Sequence, residues 1–236
     1  MKSPDVTSTD DIVTLERLFE QRHSCRAFQP QPVPRSTIER VLTLAQRTAS
    51  WCNAQPWKLW IASGAETARL SQILLDSLAT DVANPDFSWP REYAGIYQVR
   101  RRECGLALYG SVGIEKGDKE GVERQVRENY RFFGAPHVAI VTCDESLGPY
   151  AAIDCGAYVG SFMLAARSMG VASVAQASLA ARPDVLRRHF GMPDSERVVC
   201  GVSFGFSDEE HPVNGFRTRR ADLGDAVVWV GESKTN

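Results

Sequence analysis

Two arginines four residues apart flank an imidazole and a hydroxyl in Arg22-His23-Ser24-Cys25-Arg26. Guanidinium forks form bidentate, charge-assisted hydrogen bonds, and His and Ser add further donors, so the group suits a doubly charged phosphate. Taken alone it is equally the mark of a solvated helix end, where the helix dipole favours cations. A second basic group, Arg217-Thr218-Arg219-Arg220, stands near the other end of the chain. Between them, Ser50-Trp51-Cys52-Asn53-Ala54-Gln55-Pro56-Trp57 clusters Ser50, Asn53 and Gln55 in a polar turn suited to a polar ligand. No evident nucleophile or general base accompanies these groups. Anion sites without acid–base machinery imply that a bound cofactor supplies the chemistry.

Other motifs point nowhere else. Gly201-Val202-Ser203-Phe204-Gly205 matches the hydrolase nucleophile pattern, but that elbow needs a helix directly after the serine, with an acid and a histidine downstream. Here Asp208 and His211 follow too closely, without helical periodicity, so the segment reads as a buried strand whose glycines permit close packing. There is no GxGxxG, Walker loop or HExxH. The four histidines (23, 137, 189, 211) are too dispersed for a metal site, and His137, at a strand entrance, reads as partly buried core. Six scattered cysteines without CxxC spacing suggest reduced thiols in a cytoplasmic protein. A net charge of −2 and no sustained basic stripe argue against nucleic acid as a partner. The polar N-terminus lacks a signal-peptide core, and the most apolar stretch, 154–167, is too short to span a bilayer.

The periodicities that position these groups imply one mixed α+β domain over 1–236, with 43% hydrophobic and 24% charged residues. Residues 1–10 read as a loose arm. A helix over 12–22 delivers the first basic cluster at its end, with Arg22 and Arg26 on one side were it to continue. Ser36 and Glu39 match a capping box for a helix bearing Ile38, Val41, Leu42, Ala45 and Ala49 on one face. Trp57 to Ile61 alternates like a strand, with Trp57 and Trp60 as core. A helix over 64–82 is expected to bury Ala68, Leu70, Ile73, Leu74 and Leu78. Residues 83–114, aromatic and arginine-rich without clear period, read as a lid-like insertion. A charged helix from Lys119 to Arg131 precedes a strand from His137 to Cys143. The helix from Tyr150 to Met169 is apolar nearly all round and so should be buried on every side, with Gly156, Ala157, Gly160 and Ser161 admitting a close neighbour. A short strand over 171–175, a helix from Pro183 to Phe190 capped by Gly191, and a central strand over 198–206 follow. Residues 226–230 read as a short packed terminal element.

The ordered motifs Arg22 to Arg26, Ser50 to Trp57, Asn129-Tyr130-Arg131-Phe132-Phe133-Gly134-Ala135-Pro136, Gly170 to Ser178 and Arg217 to Arg220 together resemble the FMN-dependent nitroreductase family. The resemblance runs from about residue 12 to 231 and is nearest to the nitrobenzoate-reducing branch. It departs from the common pattern at Ala49, Trp51 and Ala175, where proline, glycine and proline are frequent.

That resemblance implies a three-layer α+β sandwich with a mixed, mainly antiparallel sheet flanked by helices, in an interlocked homodimer with FMN at the interface. By similarity, Arg22, His23 and Ser24 bind the FMN phosphate, with Arg217 and Arg220 closing on it. Arg26 and Asn129 would meet the ribityl chain and pyrimidine edge, and Ala177 and Ser178 would face flavin N5. Ser50, Asn53 and Gln55 would come from the partner chain. The implied activity is ping-pong transfer of hydride from NADPH or NADH through N5 to a small aromatic, electron-poor acceptor, a nitro group being reduced through nitroso to hydroxylamine. No catalytic side chain is assigned. Relatives of this fold also dehalogenate, reduce enones or quinones, or fragment flavin, and a flavin-binding sensor or storage protein is the non-enzymatic alternative.

Overall fold

The apolar run His137–Asp144 is the strand around which the others assemble, because its two faces fill two different cores. The computed structural model describes residues 9–80 and 82–231, so most of the expected N-terminal arm lies outside the described residues. In chain order the elements are α1 (Thr9–Gln21), α2 (Arg35–Ala45), β1 (Lys58–Ser63), α3 (Ala65–Thr80), α4 (Gly95–Ser111), α5 (Lys119–Glu128), β2 (His137–Asp144), α6 (Gly148–Ser168), β3 (Ala172–Gln176), α7 (Pro183–Phe190) and β4 (Glu196–Gly205).

The four strands lie in the order β1-β2-β4-β3, and every pair is antiparallel. The parallel component expected of a mixed sheet is a single bridge between Ser24 and Ser173. Along β2, Val138 and Ile140 face a core shared with Leu70 and Leu74 of α3 and Leu186 of α7. Ala139, Val141 and Cys143 face the opposite core, with Ile38 and Val41 of α2 and Tyr158 and Phe162 of α6. The sandwich therefore has three layers. Each fully buried Val or Leu contributes about 1.5–3 kcal/mol, and a one-residue slip would exchange the two faces of β2. Trp57 is core as expected, stacked on Tyr158 with ring centroids 4.9 Å apart. His137 is buried more fully than expected: its Nε2 accepts from the Val33 amide at 2.9 Å and its Nδ1 lies 2.8 Å from Ser63 Oγ.

Several expectations are corrected. Pro34, not Ser36, caps α2, and Glu39 pairs with Arg35 at 2.8 Å instead of closing a capping box. That helix ends at Ala45, so Ala49 lies in the following turn. On α3 the buried face carries the hydroxyls of Thr67 and Ser77, satisfied by the Pro136 and Leu74 carbonyls, while Ala68 is exposed. The insertion contains a regular 17-residue helix, α4, none of whose residues is buried. Without a covered face, no one-sided apolar stripe was there to be read. Helix α6 is half covered: Ala151, Cys155, Tyr158, Val159 and Phe162 are buried, whereas Tyr150, Ile153, Gly156 and Ala157 are exposed. A helix lying on a sheet can give it only one face. The terminal run does not pack, and Val228, Trp229 and Val230 stand in solvent.

The start of the insertion is held by a buried charge. Asp86, 5% exposed in its side chain, accepts from Arg187 at 2.6 Å, from Arg197 at 3.3 Å and from the Val198 amide at 2.7 Å. Removing that carboxylate leaves the Arg187 guanidinium, only 11% exposed, with Asp184 at 3.0 Å and the Glu196 carbonyl at 2.8 Å as its remaining partners. Asp86→Ala should therefore cost about 3 kcal/mol, the low end for breaking a buried pair from one side. In a thermal melt the midpoint should fall by roughly 10 °C, whereas an unchanged midpoint would mean that the network contributes nothing.

Candidate active site

Helix α1 stops at Gln21, so the first basic cluster lies on an extended loop and not on a helical turn. Alternation along an extended chain still places Arg22, Ser24 and Arg26 on one side, which is how the expected convergence arises. The loop is stitched to the sheet. The Cys25 amide donates to Ser173 at 3.2 Å, Phe28 bridges Ser207, and the Gln29 amide donates to Phe206 at 2.9 Å. Buried Cys25 and Phe28 are the plugs that fix it.

Asn214 joins this loop to the second basic cluster. It is 5% exposed, and its Oδ1 accepts from the Arg26 amide at 2.8 Å. Its Nδ2 donates to the carbonyls of Ala27 and Asp208, each at 2.8 Å, and its own carbonyl accepts from Arg217 at 2.7 Å. The result is a concentration of positive charge. The Arg22 pKa is lowered by burial and then by Arg220, with no carboxylate offsetting either. Burial lowers the pKa of His23 too, and Arg217 and Arg167 add to that, while the Gln21 carbonyl and Glu209 act in the opposite sense. Arg26, lowered chiefly by burial, lies over the Phe216 ring at 5.8 Å and near Cys104 of α4. Among the described residues, Arg22, Arg26, Arg217 and Arg220 form no ion pair. Arg22 and Arg26 are partly desolvated and Arg217 and Arg220 are exposed, and cations without counter-charge could hold a phosphate.

The His23 side chain is tied to the end of α1. Its Nδ1 lies 3.0 Å from the Gln21 carbonyl, which can only accept, so Nδ1 carries the proton. Nε2 is buried without a partner among the described residues, in a cleft shared with Arg167 and Ser173. Arg167 was not anticipated; it donates to Gln21 at 2.9 Å and so ties α6 to the end of α1. Asn214 was missed as well, although an asparagine closing Pro212-Val213-Asn214-Gly215 just before the basic turn was a readable signal.

A third group forms at the far end of β3. Asn129 follows α5, and its Oδ1 accepts from Ser178 Oγ at 3.1 Å. Gln176, buried at the end of β3, donates to the Asn129 carbonyl at 2.9 Å. Ala177 opens a 3-10 turn, Ala177–Ala181, and is exposed beside them. From Ser173 to Gln176 the strand advances ~10 Å. One edge strand thus carries a cationic pocket at one end and amide and hydroxyl groups at the other, a layout that could cradle a ring with a phosphate tail.

Ser50, Asn53 and Gln55 are not part of it within one chain. The Gln55 amide donates to Ser50 Oγ at 2.9 Å, and its side chain donates to the Asn53 carbonyl at 3.3 Å, which closes their own turn. Cys52, Asn53 and Gln55 have left-handed φ values of 52°, 55° and 48°. The turn is fastened to α6 through Asp154, which accepts from the Trp51 amide at 3.2 Å. Arg167, beside the basic loop, lies thirteen residues further along the same helix, ~20 Å away. Ser203 is no hydrolase nucleophile: it lies mid-strand in β4, fully buried, and donates to Gln176.

Comparison with known proteins agrees with this geometry. The family model of the Nitroreductase family matches residues 19–206. The chain belongs to the nitroreductase family. Nitroreductase NfnB of Mycolicibacterium smegmatis is 35% identical over 226 residues, covering 95% of this chain and 96% of that protein. A 4-nitrobenzoate reductase of Pseudomonas putida is 33% identical, covering 90% and 92%. The crystal structure of the FMN-dependent nitroreductase NfnB from Mycobacterium smegmatis in complex with NADPH superposes with a TM-score of 0.90 at 34% identity, over 94% of this chain and all of that one. The sequence resemblance and the expected fold class are thereby borne out. Among the described residues, no helix of this nitroreductase is long and apolar enough to cross a membrane, and no group of three or more His, Cys, Asp or Glu could hold a metal ion.

Like-charge repulsion in the pocket makes anion binding a stability effect. Inorganic phosphate at about a hundredfold excess over its Kd should stabilise the flavin-free protein by ~2.7 kcal/mol, read as a rise in Tm against chloride of equal ionic strength. Arg22→Ala should abolish the rise; an equal response in that variant would remove Arg22 from the anion site.

Proposed function

We propose that this nitroreductase is a cytoplasmic, FMN-dependent NAD(P)H oxidoreductase that reduces nitroaromatic and similarly electron-poor aromatic compounds. The observation that carries the reading is the edge of β3, with uncompensated cations at its start and the Asn129–Ser178 pair at its end. In this reading Arg22, Ser24, Arg217 and Arg220 hold the phosphate, and His23 holds the loop from behind. Arg26 and Asn129 meet the pyrimidine edge, where positive charge and N–H donors stabilise negative charge that develops on reduction. The backbone at Ala177 and Ser178 would face N5 in this reading. When bound, FMN supplies two-electron hydride chemistry, taken from NAD(P)H and given to the acceptor in separate half-reactions. NADPH in the Mycobacterium smegmatis relative supports a nicotinamide donor. Six free thiols support a reducing compartment. Helix α4 leans toward the site through Cys104, near Arg26, and is tied to the C-terminal segment by Arg100 and Asp225 at 3.2 Å. We assign the insertion 83–114 to the substrate side.

A homodimer completes this site. The uncovered face of α6, with Tyr150 and Ile153 at its rim and Gly156 and Ala157 along it, supports close packing against a second copy. Ser50, Asn53 and Gln55, ~20 Å along α6 from the basic loop of their own chain, are assigned to the flavin site of the partner.

Purified protein should show flavin absorbance near ~450 nm that bleaches anaerobically with NADPH or NADH and returns on addition of a nitrobenzoate. Arg22→Ala should purify largely without flavin. A colourless protein that takes up no added FMN would overturn the assignment, and flavin that no nicotinamide reduces would favour the sensor.

Shared sites make a second outcome measurable. Arg22→Ala chains mixed with chains carrying Ser50→Ala, Asn53→Ala and Gln55→Ala should form hybrids with one intact site. Random exchange makes about half of the dimers hybrid, so flavin content should rise toward about a quarter of all sites on mixing. If the mixture binds no more flavin than its components, each site is built within one chain.

A further inference from the structure

The GxSxG segment has a structural task that its hydrolase-like pattern hides. Gly201 lies where an added Cβ would stand 2.3 Å from Leu179 Cδ1 and 3.1 Å from its Cβ, so a larger residue would have to displace Leu179 of the 3-10 turn Ala177–Ala181. Gly205 likewise leaves room for Pro136, 2.7 Å from an added Cβ. Between them Ser203, paired in register with Val174 of β3, shares a sheet face with Gln176, whose register partner is Gly201.

Ser203 Oγ donates to Gln176 Oε1. That fixes the Gln176 amide, because its Nε2 then faces two oxygens of Asn129: the carbonyl at 2.9 Å and Oδ1 at 3.4 Å. A flipped amide would set oxygen against oxygen. Asn129 Oδ1 also receives the Ser178 hydroxyl at 3.1 Å, and one hydrogen of Nδ2 goes to the Val126 carbonyl at 3.1 Å. The side chain thus has its oxygen turned inward and engaged twice. What it can offer outward is an N–H.

We propose that Ser203 and Gln176 are positioning residues, a buried hydrogen-bond relay that locks Asn129 so that it presents an N–H donor to the flavin. The inference rests on the reading that Asn129 meets the pyrimidine edge. An N–H aimed at that edge favours the reduced, anionic form over the oxidised one. The relay therefore tunes the flavin potential as well as its retention. Both relay residues are buried, Ser203 completely and Gln176 to 4% exposure, so no water competes for the bond between them.

The test uses Ser203→Ala, Gln176→Met, Asn129→Ala and the double variant Gln176→Met/Asn129→Ala. FMN dissociation constants come from flavin fluorescence quenching, and midpoint potentials from dye equilibration. Gln176→Met should raise the Kd about tenfold, and weaken reduced FMN about tenfold more than oxidised, a fall of ~30 mV for a two-electron couple. Ser203→Ala, which removes only a hydroxyl, should move both in the same direction by about threefold and keeps the test alive if Gln176→Met does not fold. Because Gln176 acts through Asn129, the double variant should be no worse than Asn129→Ala alone. Additive effects, or wild-type Kd and potential in Gln176→Met and Ser203→Ala, would overturn the relay while leaving Asn129 in the flavin site. Wild-type behaviour of Asn129→Ala would instead remove Asn129 from that site, and the relay with it. Labelling of native protein at Ser203 by a fluorophosphonate probe would overturn it too.

Discussion

Arginines from opposite ends of the chain repel one another, and the site exists because the fold holds them together nonetheless. Burial and Arg220 both disfavour the charge on Arg22, and His23 feels Arg217 and Arg167. Such a cluster is unstable unless neutral groups fix its backbone. Asn214 does this with every polar atom it has, binding Arg26 and Ala27 on one side and Arg217 on the other. An amide suits the task because it donates and accepts without adding charge. A carboxylate there would relieve the repulsion from inside and leave less positive potential for a phosphate.

The sheet edge sets the geometry of what binds. β3 is an edge strand, and the basic loop covers only its start, through Cys25 and Ser173. Beyond that point the next polar groups belong to Asn129, Gln176 and Ser178. Asn129 owes its place to the turn that follows α5, in which Phe132 and Phe133 are buried at left-handed φ values of 55° and 54°. Non-glycine residues rarely adopt that conformation, and it persists only where the surroundings over-determine it. Here two buried aromatic rings do so, which makes the distance between basic pocket and polar pair a property of the core rather than of a loop.

Most strands and core helices were legible because burial leaves a period in the sequence. β2 alternates between two cores, α7 has proline at its start and glycine at its cap, and β4 is mostly apolar from Val198 onward. Legibility failed where burial failed. α4 is helical yet uncovered, so its pattern looked irregular, and the terminal apolar run predicted a packing partner that is absent among the described residues. α6 misled in the other direction: an all-apolar helix implied burial on every side, and one side is open. In the site, residue types with obvious charge were found from spacing. Gln176, Asn214 and Arg167 were not, because their roles depend on contacts across roughly 40 to 190 positions that no local pattern encodes.

The open side of α6 bears on how the site works. One helix holds the polar turn through Asp154 near its start and the basic loop through Arg167 near its end. In a two-fold dimer built on that helix, antiparallel copies would bring the start of one beside the end of the other. A separation of ~20 Å within a chain then becomes adjacency between chains. Small residues along the open face keep the backbones close enough for that exchange. The turn must also be rigid to act at a neighbour's site, and its three left-handed residues, cross-braced by Ser50, Gln46 and Asp154, meet that need. On this reading flavin retention and dimerisation are one equilibrium: separating the chains removes half of each cradle, and the basic pocket that remains would bind a phosphate without holding a ring.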